Sequence, residues 1–329
     1  MIQYENKYFI FDRPRTVTVK EYLRRARNAA RAFLYKLSLE INRPAEGSRK
    51  KYAVSLCAIF RNEAPYMKEW IEYHRLVGVE HFYLYNNFSD DNYKDVLRPY
   101  IEKGIVRLIE WPVEQGQMRA YADCYSKNKN ETKWIGYMDL DEFIVPTKQN
   151  NVYDVLKKFE KNRPSVLFYW KLFGTSGKID RDRNGLVTED FTVCWEKYDT
   201  VGKCFFNTRY GYEECLTKDM HCVWGVYRGW KLPPVNFCDK VCFPNYNPVN
   251  SSDFPIQINH YFTKSYEEYR NKMSRGDAFF KINPRDMKYF YRHEMLCKTT
   301  DFKIYKYLTA LKLRMGEDEG AEPLTGGIH

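Results

Sequence analysis

The chain has 329 residues, 44% hydrophobic and 29% charged, a balance that allows a sizeable buried core and excludes an intrinsically disordered chain. Its net charge of +10 is lopsided: residues 1–50 hold 12 Lys and Arg against 5 Asp and Glu, so +7 of it sits in that segment. The remainder is nearly balanced, which argues against a surface built throughout to track nucleic acid. The nine cysteines lack a second finger-like pair beside Cys238 and Cys242 and read as free thiols. There is no apolar leader core and no run of 18 apolar residues, so the expected location is cytoplasmic, or peripheral on the inner face of the cell membrane.

In chain order, Val19, Tyr22, Leu23, Ala26, Ala30, Phe33, Leu34, Leu37 and Ile41 recur at helical steps, with Lys20, Arg24, Arg25, Arg27 and Arg31 mostly off that face. Such a basic amphipathic helix suits either an anionic membrane interface or packing against the main domain. Residues 42–51 read as a linker. From Tyr52 onward, short apolar strands alternate with helical segments: strands at 53–60, 81–85, 105–109 and 134–138, helices following Met67, Tyr93 and Gln117. That alternation predicts right-handed crossovers and a mostly parallel α/β sheet. After Pro146 come further strands near 165–173 and 191–195, then helices at 266–273 and 302–315, and a polar tail from Gly316.

Ligands of such sheets bind beyond the carboxyl ends of the strands, which gathers Arg61, Asn62, Glu63, Asn87, Asp139 and Asp141 as candidates for one site. The sharpest feature is Met138-Asp-Leu-Asp-Glu-Phe-Ile-Val145, where a buried strand runs into three acids within four positions. Alternation places Asp139 and Asp141 on one side. Two carboxylates so placed suit a hard divalent cation, Mn2+ or Mg2+, with positions left for diphosphate oxygens.

Several segments together resemble glycosyltransferase family 92: Cys57-Ala-Ile-Phe-Arg-Asn-Glu63, Glu69-Trp-Ile-Glu-Tyr-His74, Gly78-Val-Glu-His81, Tyr85-Asn-Asn-Phe-Ser-Asp90, Trp134-Ile-Gly-Tyr-Met-Asp-Leu-Asp-Glu-Phe143 and Asn259-His-Tyr-Phe-Thr-Lys-Ser265. The resemblance runs from Tyr52 to Gly276; Asp123 departs from the family's pattern and carries no role. It implies a GT-A fold with a nucleotide-sugar-binding half at 51–146 and an acceptor half at 147–300. Residues 1–50 form a basic N-terminal segment, and 301–329 a terminal helix with a disordered tail.

The resemblance implies transfer of a sugar, with inversion, from a nucleotide sugar such as a UDP-sugar to a glycan or glycolipid hydroxyl. Arg61, Asn62, Glu63, Asn87 and Asp90 would meet the nucleoside, and His260 would be a third metal ligand or a diphosphate contact. Lys264 and Arg275 would close over the phosphates; Trp170 and Gly174 would receive the acceptor. The catalytic base is left open among Asp180, Asp182, Glu189, Glu213, Glu214 and Asp219. Two rival readings are a catalytically inactive glycan-binding protein of the same fold and a metal-dependent nuclease using the same acids.

Overall fold

Nine consecutive residues, Tyr52–Phe60, form strand β1, and the last seven are buried, as expected for a strand covered on both faces. The computed structural model describes residues 3–4, 7–10, 15–16, 18–182, 185–244, 246–249, 252–274 and 285–316. Helix α1 (Val19–Ile41) precedes β1. After it come α2 (Ala64–Leu76), β2 (His81–Asn86), α3 (Tyr93–Glu102), β3 (Val106–Glu110), α4 (Gln117–Asn128), β4 (Thr132–Tyr137) and β5 (Glu142–Pro146). The second half adds α5 (Val152–Leu156), β6 (Ser165–Leu172), α6 (Val187–Asp190), β7 (Val193–Trp195), β8 (Gly202–Asn207), β9 (Val235–Asn236) and β10 (Ile256–His260). Helices α7 (Tyr266–Ser274) and α8 (Met287–Leu296), strand β11 (Cys297–Thr300) and helix α9 (Leu308–Gly316) follow, and further short strands, among them Tyr198–Asp199, lie outside the main sheet. The expected tail beyond Gly316 lies outside the described residues.

The main sheet has the order β3-β2-β1-β4-β8-β6-β10-β5, with β9 beside β6, while β7 and β11 pair antiparallel with each other apart from it. Strands β1, β2, β3 and β4 are mutually parallel where they pair, and β6 pairs in parallel with β10 and β9; β8 and β5 run antiparallel to their neighbours. This is the α/β class with a mostly parallel sheet that the alternation of elements predicts.

The sheet is curled, and chain length forces the curl. Four strand spacings separate β4 from β5 in the pairing order, about 19 Å in a flat sheet. Only residues 138–141 join them, at most about 18 Å when fully stretched, and the Glu142 N–H turns back onto the Asp139 carbonyl at 3.1 Å. The sheet therefore bends until its two sides face each other across that turn.

Helix α2 holds β5 in place. Trp70 Nε1 donates to Glu142 O at 2.9 Å and the Tyr73 hydroxyl to Ile144 O at 2.9 Å. His74 Nδ1 lies 2.8 Å from Trp70 O, so the proton sits there and Nε2 accepts from Ile144 N–H at 3.2 Å. Burial holds His74 at a pKa of about 3, which keeps it neutral in this role.

Helix α1 docks in an unexpected orientation. Its buried residues are Asn28, Ser38 and Leu39, and its anchors include ion pairs of Glu40 with Arg163 (2.6 Å) and of Lys36 with Asp239. The apolar face points away from the protein: Val19, Tyr22, Leu23, Phe33, Leu34, Leu37 and Ile41 range from 46% to 79% exposed. Packing against the main domain, one of the two uses expected for this helix, does occur, but not through the apolar face. Polar residues and Tyr35, edge-on to Trp224 at 5.4 Å, make the contact instead.

Candidate active site

The curl brings one end of most of the strands to a single cleft of about 450 Å³. Strand β1 delivers Arg61 and Glu63, β2 delivers Asn87, and the β4–β5 turn delivers Asp139 and Asp141. The ends of β6 and β10 contribute Trp170, Leu172 and His260, while β8, running the other way, contributes Lys203 from its start. Gln117 and Met118 enter from α4, Asp199 from the short strand Tyr198–Asp199, Asp219 and His221 from loops, Lys272 from α7, and Arg285 and Tyr289 from around the start of α8.

Each aspartate carries an ammonium partner. Lys203, with a side chain only 3% exposed, binds Asp139 Oδ2 at 2.8 Å and lies 3.6 Å from Glu142. Burial, and Asp141 beside it, would raise the Asp139 carboxyl, but Lys203 and His260 together bring the net pKa below the ordinary range. Gln117 Nε2 donates to its other oxygen at 3.2 Å. Asp141 is paired with Lys272, and its Oδ1 lies 3.5 Å from His260 Nε2. Burial is again overcome, by Lys272 and then His260, so Asp141 is ionised well below the usual carboxylate range. Glu142 differs: burial outweighs Lys203 and pushes its pKa well above the usual carboxylate value.

His260 is buried, and desolvation lowers its pKa despite Asp141, leaving a neutral imidazole suited to ligation. Its ring lies 4.5 Å from Trp170, whose other side meets His221 at 4.8 Å. Trp170 Nε1 and His260 Nδ1 are buried in the wall of the cleft without a protein hydrogen-bond partner. Polar atoms so placed carry a desolvation cost of about 1–3 kcal/mol each that a bound ligand or water would relieve.

The oxygen and nitrogen donors of Asp139, Asp141 and His260 are of the types a divalent ion such as Mn2+ takes, and in this structure each carboxylate is paired with a lysine ammonium. Their ligand atoms do not all converge within 4.8 Å of one another. Asp141 and His260 are the adjacent pair, and Asp139 is held toward Lys203.

Other expected residues fall elsewhere. Asn62, at φ +55°, accepts the Asp90 N–H at 2.9 Å, and this pair fixes the rim loops without lining the cleft. Asp90 is exposed. The Asn87 amide is spent on the carbonyls of Trp111 and Val113, both at 2.9 Å. Lys264 sits behind the wall, 3.6 Å from Glu63 and 3.3 Å from the centre of the Tyr66 ring. Arg275 lies outside the described residues. Gly174 does not reach the cleft; a Cβ there would stand 2.7 Å from Cys297 Sγ and from Glu294 Oε1. Of the six candidate bases only Asp219 lines the cleft, accepting the His221 N–H at 2.9 Å. Glu189 pairs with Lys312 and Glu213 with Lys231, while Asp180, Asp182 and Glu214 are exposed.

The sequence reading missed Lys203, Lys272, Gln117, Asp199, His221, Arg285 and Tyr289. For Lys203 a signal existed: a lysine inside the apolar strand Gly202-Lys-Cys-Phe-Phe-Asn207 needs a buried acid.

The profile of glycosyltransferase family 92 matches residues 50–306. A family 92 protein of rice (Oryza sativa subsp. japonica) is 31% identical over 144 residues, covering 43% of this chain and 24% of its own length. The beta-1,4-galactosyltransferase galt-1 of Caenorhabditis elegans is 30% identical over 120 residues, 32% of this chain and 28% of its own. The galactan beta-1,4-galactosyltransferase GALS3 of Arabidopsis thaliana is 31% identical over 126 residues, 34% and 25% respectively. The matched region thus spans about a quarter of the length of these relatives. A crystal structure of S. aureus TarS covers 51% of this chain and 52% of its own at 12% identity and a TM-score of 0.34, too slight a likeness to bear on the fold. With the family profile running from the start of β1 almost to α9, over a site built at the strand ends, the chain belongs to glycosyltransferase family 92.

Proposed function

We propose that this chain is a metal-assisted glycosyltransferase that moves a sugar, with inversion, from a nucleotide-sugar donor to a glycan hydroxyl. The observation that carries the reading is one cleft holding two strand-end aspartates, a neutral buried histidine and two unpartnered ring nitrogens. A Mn2+ or Mg2+ ion held by Asp139, Asp141 and His260 would supply Lewis-acid stabilisation to the departing diphosphate. Arg61 and Glu63 take the nucleoside end at the edge of β1. Lys272 and Arg285 bring positive charge to the diphosphate from the opposite wall. Trp170, its ring packed between His260 and His221, offers its Nε1 as a donor to a sugar hydroxyl.

The acceptor hydroxyl loses its proton as its oxygen attacks the anomeric carbon, and Asp219 is placed to take it. One Asp219 oxygen is held by the His221 N–H, leaving the other for the substrate. Asp219 and His221 also line a second cavity of about 440 Å³, walled by Arg24, Arg25 and Asn28 of α1 and by Phe243 and Tyr246. An acceptor entering there meets the donor at Asp219. The outward apolar face and basic residues of α1 suit an anionic membrane surface beside that entrance, as in synthesis of a surface polysaccharide.

The ammonium on each aspartate favours a second reading, in which Lys203 and Lys272 alone compensate the diphosphate charge. The test is release of nucleoside diphosphate from a panel of nucleotide sugars, beginning with UDP-galactose because two relatives are named as galactosyltransferases. Mn2+-dependent turnover is expected, lowered at least about 100-fold in Asp141→Asn. Full turnover in EDTA would favour the lysine reading; no turnover of any donor would sink both.

A further inference from the structure

The end of α8 and the start of β11 carry His293, Glu294 and Cys297, and one ligand atom of each lies within 4.8 Å of the other two. No other trio of His, Cys, Asp or Glu among the described residues meets that spacing. Positions i, i+1 and i+4 form a triangle on one helical face, so a single turn presents all three.

His293 carries the strongest indication. It is 2% exposed, and its Nε2 lies 3.0 Å from the Phe173 carbonyl oxygen, to which it donates. The proton is therefore on Nε2, and Nδ1 keeps a lone pair, buried without a protein partner. A ring nitrogen anchored on a backbone carbonyl while the other is free to ligate is the usual arrangement of a metal-bound histidine. Burial lowers the His293 pKa to about 4, so the ring is neutral at pH 7.

The other two side chains are likewise oriented. Glu294 accepts the Thr175 N–H at 3.0 Å and the Thr175 hydroxyl at 2.8 Å, which fixes the carboxylate and leaves each oxygen a further lone pair. Cys297 Sγ lies 3.5 Å from His293 O on the same face. Gly174 completes the enclosure, since any side chain there would strike both the thiol and the carboxylate.

We propose that His293, Glu294 and Cys297 form a zinc site, separate from the aspartates of the cleft, that locks the end of α8 onto the start of β11 beside residues 173–175. A nitrogen, oxygen and sulfur set is that of a borderline-soft d10 ion and not of Mg2+ or Ca2+. Ligation converts the Cys297 thiol to thiolate, releasing one proton to solvent, with no change of oxidation state. Order at that end of α8 matters to the cleft because Arg285 and Tyr289, at the other end of the same helical segment, line it. The proposal stands independently of the transferase reading.

Co2+ titrated into chelator-treated full-length protein tests it through the thiolate-to-cobalt charge-transfer band. One equivalent should develop the band in the wild type and in Asp141→Asn, and Cys297→Ala should abolish it. Zn2+ should raise the melting temperature of the wild type and leave that of Cys297→Ala unchanged. Glu294→Gln, which keeps the Thr175 contacts in outline, should weaken Co2+ binding at least about tenfold. No band in the wild type, or a band that persists in Cys297→Ala or at full affinity in Glu294→Gln, overturns the site.

Discussion

Asp219 lines both cavities, and its proposed role as base rests on what the other candidate acids are doing. Glu189 and Glu213 are engaged with lysines at the surface, and Asp180, Asp182 and Glu214 face solvent. Asp219→Asn should lower kcat by about 100- to 10,000-fold, the range for loss of a general base, with the donor KM nearly unchanged. A wild-type kcat would shift the role to Asp199, the other unassigned acid lining the cleft. The aspartates at 139 and 141 were legible in the sequence because acids interrupting a buried strand demand an explanation. Their pairing was not: Lys203 stands out as a lysine inside an apolar strand, but only the curl of the sheet brings it and Lys272 to the aspartates. The misplacement of Gly174 has a similar cause, since a glycine permits close approach without showing what approaches; here it is Glu294 and Cys297.

Among the elements, α1 shows what periodicity can and cannot tell. The three- and four-residue steps mark the apolar face correctly, but a stripe does not say on which side the protein lies. The docking is settled by Arg163, buried against Glu40 and Asp239, which are more than 190 positions apart. The helix also leaves Lys20, Arg27 and Arg31 exposed beside its apolar residues. Each such cation near an anionic bilayer contributes about 1 kcal/mol. The triple substitution Leu23→Glu, Phe33→Glu, Leu34→Glu should reduce co-sedimentation with phosphatidylglycerol vesicles at least about tenfold, without lowering the melting temperature. Undiminished sedimentation would remove the membrane from the proposal; a change from dimer to monomer on sizing would name a second copy as the occupant. The strands and helices from β1 to β5 follow their sequence pattern closely. Helix α8 was missed because its aromatic-rich segment, Met287–Leu296, has no single apolar stripe.

At the scale of the whole molecule, four buried histidines tie stability to pH. Burial holds His74 near 3, His81 and His293 near 4, and lowers His260, whereas an unfolded histidine titrates near 6.5. As pH falls below about 6.5 the unfolded chain takes up protons that the folded one refuses, so folding stability declines toward pH 4. Glu69 and Glu142, raised by burial, bind protons in the folded state and offset part of this. The expected loss is about 1.4 kcal/mol per pH unit for each uncompensated proton. Urea midpoints measured from pH 7.5 to 4.5 should fall steeply below pH 6.5, and a flat profile would contradict the buried, neutral state of these rings. The curled sheet has a consequence of its own for the chain as it leaves the ribosome. Strand β5 emerges directly after β4, yet its partner in the sheet is β10, and the strand that flanks β4 on that side is β8. Until His260 has been synthesised, β5 has no strand to pair with, and a nascent chain paused before that point exposes an apolar edge to its neighbours. Slow codons or a chaperone would therefore matter most in the stretch between β5 and β10, long after the residues that define the aspartate pair have been made.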